Sequence, residues 1–197
     1  KQISVHKFGT FVSSSTDNIL IFKYISIESV AFYGNYMLIV NNLTILIAKL
    51  FSGTNASVGN LVAENDPENI EKVFWEFMAL RFFIASISTI AILKLLDPFI
   101  SLWLGPKYIL EHSTLVFFSI NFFILQIRQP VDVFIQAYGL YQDTWAPIAQ
   151  SIINLVFSIV LINIYGITGV LIGTTISLTL IILIWKPYFV YTKGFDK

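Results

Sequence analysis

Apolar stretches about as long as a bilayer is thick recur along nearly the whole of this chain, and nothing else limits its fold so severely. Windows of roughly 20 residues with few charges mark helices that cross a membrane. By that criterion six spans are predicted, over Val5–Lys23, Val30–Ala63, Ile70–Leu96, Ser113–Tyr138, Thr144–Tyr165 and Thr168–Tyr191. Strands of a lipid-facing barrel would alternate polar and apolar side chains. Runs such as IILIWKPYFVY do not alternate. The predicted fold is therefore all-α, a polytopic membrane protein forming a single helical lobe over residues 1–197.

Composition agrees. The 197 residues are 56% hydrophobic and only 12% charged, with a mean hydropathy of +0.75. Soluble domains carry about 25% charged residues, so half the usual solvating surface is missing. Formal net charge is zero, which offers no basic surface for nucleic acid. Cysteine is absent, so thiolate metal sites and disulfides are excluded. His6 and His112 are the only imidazoles and stand far apart, which argues against a histidine metal centre. No Gly-rich phosphate loop, His/Cys cluster or nucleophile elbow is present. The chain is expected to be no enzyme, and to use no cofactor or metal.

The connectors fit these cuts. In AENDPENIEK, Asp66 is a candidate N-cap with Pro67 at the first helical position. LDPFISLWLGPKY, with two prolines, a glycine and Trp103, is predicted to be an interfacial loop. AYGLYQDTWAP turns at Gly139 and restarts at Asp143, and IYGITG tightly links the last two spans. Lys and Arg favour one face: Lys1, Lys7, Lys72, Arg81, Arg128, Lys186, Lys193 and Lys197 against Lys23, Lys94 and Lys107. By the positive-inside rule both termini are then cytoplasmic. The second span, at about 1.5 Å per residue, is roughly 50 Å long and exceeds a hydrocarbon core of about 30 Å. It either bends near Gly53 or projects into the cytoplasm, the reading preferred here, with Lys49 toward the cytoplasmic half.

Asp17, within SSSTDN, is the costliest residue of the first span. A mid-bilayer aspartate costs about 2.5–3.5 kcal/mol, which roughly cancels what the apolar residues of that span return. Its polar side must face protein or water. Three roles stand open: a loop residue between short segments, a hydrogen-bonded structural group, or a carboxylate lining a transport cavity. Lys49 either snorkels to the interface or is a cavity cation able to attract phosphate. Arg128 and Asp132 flank Pro130 four residues apart and either pair with each other or meet an anion at a kink. Arg81 reads as a boundary residue reaching Glu76, Glu71 or headgroups. Gly169, Gly173 and Ser177 recur every fourth residue, a small-residue face for close helix packing.

Several segments together resemble a known family. TDNILIFKYISIESVAFYGNYMLI, with Asp17, Tyr33, Gly34 and Tyr36, is similar to the seventh and eighth helices of bacterial polysaccharide-export flippases. These belong to the multidrug/oligosaccharidyl-lipid/polysaccharide superfamily, which includes the Wzx-type O-antigen flippases. SVGNLVAENDPENIEKVF resembles the end of the eighth helix and the following cytoplasmic link, DPFISLWLGPKY the loop after the ninth, and YGITGVLIGTTIS the join of the last two. Members have twelve or more helices in two lobes, so the resemblance implies that this chain is the C-terminal lobe, an excerpt with an N-terminal six-helix lobe as partner. It also implies the cargo: an oligosaccharide on polyprenyl pyrophosphate, moved across the bacterial inner membrane for surface polysaccharide and lipopolysaccharide synthesis. Lys49 and Arg128 would then attract pyrophosphate, and Asp17 would take a coupling ion, H⁺ or Na⁺. The rivals are a drug or cation exporter of the same superfamily, a membrane-embedded polysaccharide polymerase or glycosyltransferase, and a scaffolding subunit.

Overall fold

The computed structural model of the chain describes residues 16–140, 142–143 and 145–195. It is all-helical, and among the described residues four helices are long and apolar enough to cross a membrane. They span Ile27–Leu50, Pro67–Trp103, His112–Ala137 and Trp145–Phe195. The chain is thus built as a multi-pass membrane protein.

Helix α1, residues 16–24, closes on a short turn and is followed by α2, Ile27–Leu50. Ser26 starts α2, its side chain accepting the Ser29 amide at 3.1 Å and satisfying one of the free N–H groups of the first turn. The preferred projection of a continuous second span does not hold. Helix α2 ends at Leu50, and α3, Thr54–Glu64, begins after the turn Phe51–Gly53. Local hydrogen bonds close the joint: the Thr54 amide and Oγ both donate to the Phe51 carbonyl, at 3.1 and 2.7 Å, a turn in place of the regular helical bond. Asn65, with φ +56°, terminates α3.

Helix α4, Pro67–Trp103, starts where Asp66 Oδ1 accepts the Asn69 amide at 3.3 Å. It corrects a second expectation. The interfacial loop predicted to begin at Leu96 is helical through Pro98 to Trp103, and only residues 104–111, holding a single turn Pro106–Tyr108, connect it onward. One proline removes one amide from a helix of 37 residues, and packing of Leu96 and Ile100 in the core keeps the remainder wound. Helices α5, His112–Ile127, and α6, Gln129–Ala137, meet at Arg128, two residues before Pro130.

The last segment opens with α7, Trp145–Leu178, which is broken at Gly166, where φ +57° and ψ −134° are accessible to glycine. The two halves lie against each other. Asn154 Nδ2 donates to Thr174 Oγ at 2.8 Å and Ser158 Oγ to the Val170 carbonyl at 3.2 Å, an antiparallel register about the break. A Cβ at Gly169 would collide with the Leu161 carbonyl, and one at Gly173 would lie 2.6 Å from the Ser158 amide nitrogen. The chain then widens into π-type turns at Thr179–Trp185 and Tyr191–Phe195, either side of α8, Lys186–Val190. Pro187 supplies the reason for the first of these, since its ring meets the carbonyl four residues earlier in a regular helix.

Two apolar clusters fill most of the bundle. One, around Tyr33, Tyr36, Leu96, Ile100, Leu115, Phe118 and Phe122, lies toward the end that carries the 104–111 connector. The other, around Phe74, Phe77, Val131, Phe134, Phe189 and Val190, lies toward the opposite end. The outside is also apolar: Phe82, Phe83, Ile87 and Ile90 on α4, and Ile152, Val156 and Val160 on α7, are exposed. In lipid such surfaces are solvated, so helix association rests on packing and interhelical hydrogen bonds.

Candidate functional site

Asp17 lies in helix α1, seven residues before its end and so about 10 Å from the α1–α2 turn. The loop role is therefore excluded for Asp17 itself; Ser13–Ser15 lie outside the described residues. Asp17 is 7% exposed. Its Oδ2 accepts the Tyr33 hydroxyl at 3.2 Å, and its Oδ1 has no partner among the described residues. Tyr33 lies at the matching depth on α2 because the hairpin turns at residues 25–26.

Tyr36 stands one turn further along the same face. It donates to Asp97 Oδ1 at 2.6 Å and accepts the Leu110 amide at 3.1 Å, tying α2, α4 and the connector together. Phe118 of α5 packs on both rings, at centroid distances of 5.2 Å from Tyr33 and 5.8 Å from Tyr36. Two tyrosines on one helix face thus serve two carboxylates, Asp17 and Asp97, from two other helices. Of that constellation the sequence singles out Asp17 for its cost. Asp97 is concealed in a stretch expected to be a loop.

The second polar centre joins α6 to α8. Asp132 accepts Arg128 Nε on one oxygen and Lys186 Nζ, at 2.6 Å, on the other. All three are largely buried. Of the two roles open to Arg128, the structure shows the pairing with Asp132, which engages the cation that an anion would otherwise meet. Lys186, within IILIWKPYFVY, is a member that sequence reasoning passes over: an ammonium in so apolar a run needs a carboxylate, and that signal is present. Asp143 is also buried.

Lys49 is exposed on the last turn of α2, where a cation complements the helix dipole. It is apart from the Asp17 site, at the other end of its helix. Arg81 is corrected. It does not reach Glu76, Glu71 or the headgroups but is 4% exposed, with its guanidinium 3.7 Å from the centroid of the Phe51 ring and 5.5 Å from that of Phe77. That stack brackets the α2–α3 joint. Gly169, Gly173 and Ser177 are buried, the two glycines at the crossing of the α7 halves. Among the described residues no three His, Cys, Asp or Glu side chains gather as a metal site.

Chemically, the Asp17 site is a carboxylate held among helices, with one buried oxygen that has no partner among the described residues. No protein family, curated protein or solved structure matched the chain on comparison.

Proposed function

We propose that the chain is one six-helix lobe of a transporter that moves a polyprenyl-pyrophosphate-linked oligosaccharide across the bacterial cytoplasmic membrane. Six spans follow if Gly166 divides the last apolar segment in two and α1 ends a first span beginning near Val5. A second, N-terminal lobe then faces this one across a hydrated cleft, both ends of the present segment lie in the cytoplasm, and alternate opening shields glycan and pyrophosphate from hydrocarbon. The observation that carries the reading is Asp17, shut in among apolar helices with one oxygen unpartnered among the described residues. A charge so placed is costly in a merely structural helix, and it fits a coupling ion, H⁺ or Na⁺, better than a passive role.

Export of surface polysaccharide in cells lacking the protein, restored with Asp17→Asn, tests it. The amide keeps the shape and the Tyr33 contact but cannot carry charge. Export is expected to fall at least about tenfold, as loss of an essential ionisable group would cause. Full export by the variant would remove the charge of Asp17 from the mechanism.

One observation favours a second reading, a drug or cation exporter of the same superfamily: a carboxylate with one oxygen unpartnered among the described residues sits beside two aromatic rings, Tyr33 and Phe118, chemistry that recognises an organic cation. Substituting Lys49, which is exposed and outside the Asp132 cluster, separates the two. Lipid-linked glycan transport would suffer, and cationic drug export would not.

A further inference from the structure

Helix α2 spans 24 residues, about 36 Å, and Asn41 and Asn42 fall near its middle. Both are exposed, as is Lys49 two turns further on. Asn42 Nδ2 bonds back to the Leu38 carbonyl at 2.8 Å, and Asn41 makes no side-chain hydrogen bond among the described residues. Depth is fixed by neighbours. Tyr36 meets Asp97, and Phe51 packs on Phe77, so Asn41 lies level with Ile90 on the antiparallel α4. At that level α4 exposes Ile87 and Ile90, and the first half of α7 exposes Ile152. Those faces suit lipid. The Asn41 amide and the Oδ1 of Asn42, which make no hydrogen bond among the described residues, do not suit lipid at the same depth, since each unmade hydrogen bond in hydrocarbon costs several kcal/mol.

Two surroundings would satisfy them: water, or another helix. Lys49 decides in favour of water. An ammonium on the same face, without a carboxylate beside it among the described residues, is poorly placed between packed helices but well placed in a hydrated groove. Exposed polar residues continue through the joint and α3, with Ser52 in the turn and Asn55, Ser57 and Asn60 in the helix.

We propose that the exposed face of α2 around Asn41, Asn42 and Lys49 is the wall of a water-filled cleft, where the two amides meet the hydroxyl groups of a glycan. The glycan part rests on the transport reading above; the hydration does not.

The chain has no cysteine, so a single introduced thiol is the only one in it. Leu38→Cys, Asn41→Cys and Asn42→Cys are compared with Ile90→Cys and Ile152→Cys in membranes, using a water-soluble, membrane-impermeant maleimide applied to either side. Leu38, Ile90 and Ile152 are exposed by 51, 61 and 57%, so side-chain exposure alone does not separate them. Expected is labelling of all three α2 positions on the order of tenfold faster than of the other two, because thiols in hydrocarbon neither ionise nor meet the reagent. Equal, slow labelling at all five positions overturns the proposal and leaves the face as a helix-packing surface. Export by Asn41→Ala/Asn42→Ala then tests the glycan contact: a fall is expected, and fast labelling with unchanged export would retain the cleft but remove the glycan from it. A failure of Asp17→Asn to affect export would leave the labelling result untouched, so the two readings fail separately.

Discussion

Asp132 shows how a carboxylate inside an apolar bundle is made tolerable. Each of its oxygens takes one cation, Arg128 from the α5–α6 joint and Lys186 from the last segment, so three charges are buried together. The net worth of such a cluster is small, because desolvation offsets most of the attraction, whereas removing one member leaves the others uncompensated. Asp132→Ala is therefore expected to destabilise the protein by about 3–5 kcal/mol, read as a drop in thermal stability in detergent. Replacing all three by apolar residues of similar size should cost much less. A single substitution no worse than the triple one would refute this account. Asp17 is the contrasting case, since Tyr33 serves only one of its oxygens.

At the scale of elements, glycines separate by what surrounds them. A Cβ at Gly173 has no room against Ser158, and one at Gly169 none against Leu161, so the two halves of α7 touch backbone to backbone. A methyl group added to Gly59, inside α3, would meet nothing within 4 Å. Gly173→Val should force the hairpin apart and destabilise by about 1–3 kcal/mol or more, the usual cost of overpacking. Gly59→Ala should be neutral or stabilise by about 0.5–1 kcal/mol, since it only restricts the unfolded chain and favours helix. Melting temperatures of the two variants check the pair, and equal effects would count against the close crossing. The breaks at Phe51–Gly53 and Gly166 matter equally, for they turn apolar runs too long for one crossing into shorter rods.

Over the whole molecule, the end carrying the 104–111 connector is cross-braced. Tyr36 joins Asp97 and Leu110, Thr168 bonds Thr114 at 2.7 Å and Ser113 at 3.1 Å, and Lys107 pairs with Glu28 at 3.0 Å on the surface. The exposed ion pair adds little to stability but marks two points that stay adjacent in this arrangement. If transport requires this end to rearrange, Glu28→Cys/Lys107→Cys bridged by a short bis-maleimide should stop export, and either single cysteine treated alike should not. Undiminished export by the bridged protein would show that these braces stay shut through the cycle.

Sequence by itself determined the helical, membrane-crossing character of this chain. Apolar length and the lack of alternation leave lipid no other way to satisfy a backbone. It also located the charges that demand explanation, because Asp17, Arg128 and Asp132 stand out against apolar surroundings. Tertiary structure decided where the long runs break and what each charge touches. Neither Thr54 closing the α2 end nor Pro98 being carried inside α4 follows from hydropathy, which averages over local hydrogen bonds and packing. The partners Tyr33, Asp97, Lys186 and Phe51 come from elements up to 61 residues away along the chain, and only packing brings such groups within reach.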